Sequence, residues 1–272
     1  WNAMMIAALA KASFAFKKPE WLELATACFH SIVESMTTYE ESFLRLAHSR
    51  RGNKLVWPGV ASDYVFMIRA ALILNSYGAQ WSKVDHNSRF ISYIDFAKQL
   101  VESLIHFHAN TETGLLSLPA FDARDVVFRT FITADDATPN PNSILLQSLY
   151  ILAGITGEHR YTETAQKIIR SILPSALENP FGHASFLNAI DVYLNGSQII
   201  VLGNHRQKLL DIARNAAQLN RFVSELDHHS TITSTRFPPS EYQKQATAYI
   251  CTGQECSLPI SSTEQLASAL TT

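Results

Sequence analysis

One pattern occurs three times in the chain, in Trp21-Leu-Glu-Leu-Ala25, Tyr93-Ile-Asp-Phe-Ala97 and Tyr161-Thr-Glu-Thr-Ala165. Each copy has an aromatic residue, an acid two positions later and an alanine four positions later, then serine at ten and isoleucine or leucine at eleven. Positions four and eleven residues apart share one helix face, and the acid suits a first turn, where the helix dipole favours negative charge. The pattern therefore predicts three copies of an amphipathic helix, 72 and 68 residues apart.

A more apolar segment precedes each copy, at residues 4–14, 64–74 and 143–152, and a fourth such segment covers residues 184–194. These segments are hydrophobic nearly all round, which is typical of a helix buried on most sides. The unit is thus a buried helix, an amphipathic helix and a long connection. The connections, near 39–63 and 111–139, contain alternating stretches that indicate short hairpins or irregular loops.

Paired helices in a repeat of about 70 residues favour a mainly α fold, a partial (α/α)6 toroid of helical hairpins. Helical solenoids are the rival, but their repeats are usually about 33–47 residues long with short turns. Six hairpins close such a ring, and the chain supplies about three and a half. Because the chain begins at Trp1 inside a helical pattern, we expect earlier hairpins to be missing from it.

The character of the sequence changes after residue 195. Residues 197–203 form an apolar run that ends in glycine, as buried strands do. A helix over 205–219, strands near 221–226 and 246–251, a loop over 227–244 and a final helix over 262–270 follow. The expected domains are therefore 1–195, the toroid portion, and 196–272, a small C-terminal α/β appendage.

Composition excludes several classes of protein. The chain has 272 residues, 47% hydrophobic and 17% charged, which gives it ample material for a core. Its net charge is −2, without the basic stripe of a nucleic-acid-binding surface; the short run His48-Ser49-Arg50-Arg51 is expected to be solvated. No apolar run is as long as a membrane span. Three cysteines make no disulfide framework, so we expect a cytoplasmic protein with Cys251 and Cys256 reduced, although a labile disulfide is the alternative.

Several segments carry a resemblance to a known family: Trp1-Asn-Ala-Met-Met-Ile-Ala-Ala-Leu-Ala10, Ser62-Asp-Tyr-Val-Phe66, Asp135-Asp-Ala-Thr-Pro-Asn-Pro-Asn-Ser143 and Ala246-Thr-Ala-Tyr-Ile-Cys-Thr-Gly-Gln-Glu-Cys256. Over essentially its whole length the chain resembles the YyaL-like family, also called the spermatogenesis-associated protein 20-like family of thioredoxin-domain-containing proteins. It departs from the family pattern at Asp136, Asn140 and Pro141, where Gly, Ser and Gly are usual. The resemblance implies a six-hairpin glycosidase-like region, similar to the N-acylglucosamine 2-epimerase toroids, that follows a thioredoxin-like domain. The partners implied are that domain, the missing hairpins and a sugar ligand, with no cofactor.

In a toroid the cleft forms where the inner helices begin, so polar residues there are the candidate site. Asp63, Asp135 and His183 are the candidates for proton transfer at a sugar carbon or a glycosidic oxygen. Trp1, Asn2, Tyr64 and Asn142 are the candidates for substrate binding, the two aromatic residues by stacking on a sugar ring.

Each candidate also has a structural interpretation. Asp63 and Asn142 suit helix caps, Asp135 suits a turn, and His183 suits a satisfied core position. His106-Phe-His108 has the character of a metal pair, but no third ligand has supporting spacing, so no metal is expected. Two functions remain open: a carbohydrate-active or carbohydrate-binding toroid with an epimerase-, isomerase- or hydrolase-like cleft, and a non-catalytic scaffold that presents a partner to a thioredoxin-like domain.

Overall fold

The structure, a computed structural model, describes residues 1–79, 83–84, 90–216, 220–226, 236–237, 245–253 and 255–271. It is mainly helical, as the sequence predicts. The predicted loop 227–244 and the end of the helix predicted over 205–219 lie largely outside these residues. The described chain forms two compact units, Trp1–Ser148 with Thr164–Ala189, and Leu149–Glu163 with Ile190–Thr272. The boundary expected at residue 195 stays a prediction.

The first unit contains the helices of the first two hairpins and the strands that connect them. The helices are α1 (Asn2–Ala15), α2 (Pro19–Met36), α3 (Ala61–Ser76) and α4 (Tyr93–His108). The strands are β1 (Thr37–Glu40), β2 (Phe43–Leu46), β3 (Ser49–Arg51), β4 (Lys54–Val56), β5 (Lys83–Val84) and β6 (Phe90–Ile91), paired as three antiparallel hairpins, β1–β2, β3–β4 and β5–β6. The prediction of hairpins in the first long connection is confirmed.

Three further helices have residues in both units: α5 (Pro141–Thr156), α6 (His159–Glu178) and α7 (Ala184–Asn195). A short 3-10 helix, Phe181–His183, precedes α7. All seven helices coincide with the segments that the repeat predicts. The connection from α4 to α5 is irregular and contains one isolated bridge, between Ala109 and Leu116.

Burial follows the predicted pattern for α3 and α4 but less closely for α1. Helix α3 packs against α1 and α4 and buries residues on every side, among them Tyr64, Phe66 and Ile68. Helix α4 is amphipathic and buries one face. Helix α1, in contrast, buries a narrow stripe around Ile6 and Ala10 and leaves Met5 59% exposed.

The acid of the repeat has its predicted place in one copy only. Asp95 lies in the first turn of α4, where it accepts hydrogen bonds from the hydroxyl and the N–H of Ser92 and forms a capping box. Helices α2 and α6 begin two residues before their aromatic residue, so Glu23 and Glu163 fall beyond the first turn. The dipole argument is therefore wrong for these two copies.

The second unit contains a four-stranded sheet in the order β10-β9-β7-β8. Its strands are β7 (Ser197–Leu202), β8 (Arg221–Glu225), β9 (Thr247–Thr252) and β10 (Glu255–Cys256), and its helices α8 (Gln207–Asn215) and α9 (Thr263–Thr271). Strand β7 runs parallel to β8 and antiparallel to β9. Apolar residues of β7, β8, β9 and both helices form one core. These strands and helices confirm the α/β pattern predicted for the C-terminal sequence.

Cys251 and Cys256 form a disulfide in this sheet. The expectation of two reduced cysteines is thus wrong for this structure. The reason is the tight hairpin between β9 and β10, whose register places the two residues directly opposite each other with their Cα atoms 4.0 Å apart. Cys28 remains a free thiol.

Candidate functional site

The start of α3 is held beside the end of β2 by short backbone hydrogen bonds. The N–H of Gly59 donates to the carbonyl of Leu46 over 2.7 Å, and the N–H of His48 donates to the carbonyl of Val56 over 2.9 Å. A Cβ atom at position 59 would lie 2.5 Å from the Leu46 oxygen, so this approach requires glycine. The result is that His48, which follows β2, lies next to the first turn of α3.

Asp63, the third residue of α3, forms a pair with His48. Its Oδ2 atom accepts the N–H of Val60 at 2.8 Å, which caps the helix, and lies 2.8 Å from Nδ1 of His48. The Asp63 side chain is 24% exposed and that of His48 is 49% exposed. Burial raises the pKa of Asp63 above its ordinary value, although hydrogen bonds from His48 and Val60 oppose the change.

This arrangement orients the imidazole of His48. A carboxylate only accepts hydrogen bonds, so the His48 nitrogen that faces Asp63 carries the proton. The other nitrogen, Nε2, has no hydrogen-bond partner within the described part of the chain. A half-exposed imidazole with one nitrogen fixed by a carboxylate and the other without a protein partner has the form of a general acid or base.

Tyr64 and His108 lie in the interior behind this pair. Both are completely buried, with their rings 5.4 Å apart. The Tyr64 hydroxyl accepts the N–H of Leu46 at 3.0 Å, and Nδ1 of His108 donates to the carbonyl of Ser117 at 3.1 Å. Burial lowers the pKa of His108 to about 4, so this ring is neutral at physiological pH. The structure therefore uses Tyr64 for packing and for holding β2.

Arg45 connects β2 to the loop that follows α4. Its guanidinium is buried, makes an ion pair with Asp122 at 2.7 Å and another with Glu40 at 3.5 Å, and lies 3.5 Å from the centroid of the Phe107 ring. Buried cations need such partners because the loss of hydration is costly. Arg45 thereby fixes β2, the strand that His48 follows two residues after its end.

Asp135 holds the loop before α5 against the start of α7. Its carboxylate accepts the N–H of Asn140 at 2.8 Å, the N–H of Ser185 at 2.8 Å and the Ser185 hydroxyl. Burial raises the pKa of Asp135, but these hydrogen bonds and the nearby His183 outweigh it, so the pKa lies below its ordinary value. Asp135 lies in a loop, and its two occupied oxygens cap the start of α7 from outside that helix.

His183 belongs to the same cluster and is buried. Its Nδ1 lies 2.8 Å from the carbonyl of Asn179, and its Nε2 lies 3.3 Å from the hydroxyl of Thr133. Both ring nitrogens therefore have partners inside the protein. This matches the structural interpretation of His183 that the sequence left open.

Asn142 is buried and its amide is fully used. Its Oδ1 accepts the N–H of Leu116 at 2.8 Å, and its Nδ2 donates to the carbonyl of Ile132 and to Oδ1 of Asn140. The residue that caps α5 is Asn140, whose Oδ1 accepts the N–H of Asn142 and whose carbonyl accepts that of Ile144. Together the two asparagines fix the connection between α4 and α5.

Trp1 and Asn2 lie at the start of α1, and both are exposed. Trp1 is 86% exposed. Trp57, 40% exposed, follows β4 directly after the residue that accepts the His48 N–H.

Five of the seven predicted site residues fall into two groups, and Trp1 and Asn2 belong to neither. Asp63 and Tyr64 lie with His48 and His108 at the start of α3. Asp135, His183 and Asn142 form a hydrogen-bonded structural cluster before α5 and α7. Sequence reasoning missed His48 and Arg45, because the contact of His48 with Asp63 depends on how the β3–β4 hairpin folds back.

No group of three histidines, cysteines or acids that could hold a metal ion is found in the part of the chain that the structure describes. His106 stacks on Phe43 at 4.2 Å and His108 bonds to Ser117. Among the described helices, none is long and apolar enough to cross a membrane.

A comparison with models of known protein families gives no match, and a search of curated proteins gives none either. The relationship to the YyaL-like family therefore stays a prediction that rests on the quoted motifs.

Proposed function

We propose that this chain is a carbohydrate-active protein in which the His48–Asp63 pair transfers protons on a reducing sugar, as an epimerase or isomerase does. The observation that carries the proposal is the 2.8 Å contact between Nδ1 of His48 and Oδ2 of Asp63. It leaves Nε2 of His48 without a partner among the described residues, in a side chain that is half exposed. His48 is then the acid–base residue and Asp63 the positioning residue.

Epimerase-like chemistry fits the candidate residues better than hydrolysis does. Glycoside hydrolysis generally needs two carboxyl groups that flank the bond and exchange protons with it. Both oxygens of Asp135 are occupied by backbone and hydroxyl donors, so this carboxylate is poorly suited to proton exchange. A single imidazole can remove the proton next to a carbonyl group and return it to the former carbonyl carbon, which is isomerisation, whereas epimerisation requires return to the opposite face of the enediol.

Two exposed tryptophans supply the sugar-binding part of the proposal, and one of them, Trp57, follows the residue whose carbonyl accepts the His48 N–H. Trp57 and Trp1 are both exposed, and a flat aromatic ring offers an apolar face to a sugar ring. Tyr64 is not assigned this role, because it is completely buried and its hydroxyl serves the Leu46 N–H.

The proposal extends to the architecture. Alternation of a buried and an amphipathic helix supports an (α/α)6 toroid of the YyaL-like family, completed by earlier hairpins and joined to a thioredoxin-like domain. We propose a cytoplasmic location, against which the Cys251–Cys256 disulfide is an argument, since disulfides are rare in reducing compartments.

One observation favours the scaffold alternative. The loop between α4 and α5 exposes several large apolar side chains, with Val127 97% and Phe128 75% exposed. Exposed apolar side chains that cluster often mark an interface with a partner. In this alternative the loop binds a partner, and the polar clusters at the helix starts serve only as caps.

The test is turnover of a panel of reducing mono- and disaccharides, followed by NMR, for the wild type and two histidine variants. His48→Asn keeps a donor towards Asp63 but removes the titrating ring, and we expect it to lower the rate by about 10²- to 10⁴-fold. His205→Asn is the matched control, because His205 is exposed and has a positive φ that asparagine tolerates. Absence of both turnover and binding across the panel overturns the proposal, as does equal activity of His48→Asn and the wild type.

A further inference from the structure

A half-open cavity of about 270 Å³, in contact with solvent, lies between α1 and α3 in the first unit. Its walls are mostly apolar and include Ala7 and Ala8 of α1, Phe66 and Ile73 of α3, and Pro139. Since a water molecule in the liquid occupies about 30 Å³, the space corresponds to roughly nine water molecules. It is large enough for a small organic molecule.

Two cationic side chains line this otherwise apolar space, Lys11 of α1 and Arg69 of α3. Neither makes a hydrogen bond or an ion pair with any residue that the structure describes. Other partly or fully buried arginines of the chain are paired, Arg45 with Asp122 and Arg206 with Glu225. The Arg69 guanidinium is partly buried but still reaches solvent, and Lys11 is exposed, so both charges can pair with an anion that enters the cavity.

The surroundings of both cations lower their pKa values. Burial lowers the pKa of Arg69. Desolvation, and secondly the charge of Arg69, lower the pKa of Lys11, although much of the Lys11 side chain stays exposed. A negative charge between them would relieve both effects.

The cavity is separate from the His48–Asp63 pair. Phe66, Arg69 and Ile73 are spaced by three and four residues and share one face of α3. Asp63 precedes Arg69 by six residues, which corresponds to about 120° around the helix and about 9 Å along it. Neither Asp63 nor His48 lines the cavity, whose walls come from α1, α3 and Pro139.

We propose that this cavity binds a small organic anion, whose carboxylate or phosphate group bridges Lys11 and Arg69 and whose apolar part lies against Phe66 and Ile73. The planar guanidinium is suited to two parallel hydrogen bonds with such a group, and the lysine adds a second positive charge. The site is independent of the acid–base pair, so its ligand need not be the sugar.

The test is calorimetric titration of the full chain at low ionic strength with two probes, inorganic phosphate and benzoate. Saturable binding of either probe supports the proposal, and the preferred probe distinguishes a phosphate-bearing from a carboxylate-bearing ligand. Arg69→Gln and Lys11→Gln are each expected to weaken binding at least about tenfold. Ala8→Leu, which fills the cavity without a change of charge, is expected to abolish benzoate binding.

The matched control is Arg51→Gln, which removes one positive charge from the exposed strand β3 and is expected to leave binding unchanged. Equal weakening by Arg51→Gln and Arg69→Gln would show a general charge effect and overturn the proposal. So would the absence of saturable binding of both probes up to about 10 mM. If Arg69→Gln fails to fold in a thermal unfolding experiment, Lys11→Gln and Ala8→Leu decide the question in the same way.

Discussion

Nδ1 of His48 lies 2.8 Å from Oδ2 of Asp63, an oxygen that also accepts the N–H of Val60. One carboxylate therefore caps α3 and orients an imidazole from a different segment of the chain. The cap fixes the carboxylate, and the carboxylate fixes the ring. This double role allows a helix-capping residue to serve as the positioning residue of the proposed acid–base pair.

Replacement of Asp63 by asparagine tests its positioning role. Because the amide no longer fixes the proton of His48 on Nδ1, we expect Asp63→Asn to lower kcat by about tenfold to a hundredfold with a smaller effect on KM. The pH profile of kcat should also shift. Asp95→Asn is the control, since Asp95 caps α4 in a similar way; an equal loss of kcat in this variant would assign the effect to helix capping alone.

Replacement of Asp135 by asparagine is expected to act on stability. The amide group cannot accept all the donors that Asn140 and Ser185 present, and hydrogen bonds to a charged group contribute about 1.5–3 kcal/mol. We expect the free energy of unfolding, measured by urea denaturation, to fall by about 2 kcal/mol. Asp136→Asn, a change at the exposed neighbour, should leave it nearly unchanged. An Asp135→Asn protein of wild-type stability contradicts this account of the cluster.

His108 is expected to make stability depend on pH. Its pKa in the folded protein is about 4, against 6.5 for an ordinary histidine, so the unfolded chain binds the proton more tightly. The stability from the neutral ring is complete above about pH 6.5 and is lost as the pH falls towards 4, by up to about 3 kcal/mol. His108→Asn should have a flatter profile of unfolding free energy over this range. Parallel profiles for the two proteins would contradict the prediction.

The number of free thiols can be counted directly by alkylation. With Cys251 and Cys256 joined, only Cys28 has a free thiol. Alkylation in denaturant without reductant should therefore add one label, and alkylation after reduction should add three, as measured by mass spectrometry. Three labels before reduction would show that the pair is reduced, as the sequence alone suggested.

Much of the helical arrangement was predictable from the sequence because it depends on local periodicity. The aromatic–acid–alanine copies and the apolar segments before them locate α1 to α7 within a few residues. The starts of α2 and α6 were misplaced because the chain enters the helix two residues before Trp21 and Tyr161. The two residues that begin each helix are not part of the repeat, so the repeat does not predict these starts.

The candidate site was less predictable because its contacts are non-local. The sequence predicts a solvated surface for His48, Arg50 and Arg51, and all three are exposed, but it does not show the pairing of His48 with Asp63. Its contact with Asp63 spans fifteen residues and depends on the close approach of Gly59 to Leu46. Conversely, the structural interpretations of Asp135 and His183 follow from the way in which two distant loops meet, which local sequence suggests only as one alternative.

The most direct test of the proposed function is deuterium incorporation at the carbon next to the carbonyl of a reducing sugar, followed by proton NMR in D₂O. If His48 removes and returns this proton, the wild type and His205→Asn should exchange it, and His48→Asn should be slower by at least about a hundredfold. Exchange at the same rate in His48→Asn and the wild type, or no exchange by the wild type with any sugar of the panel, would contradict the account.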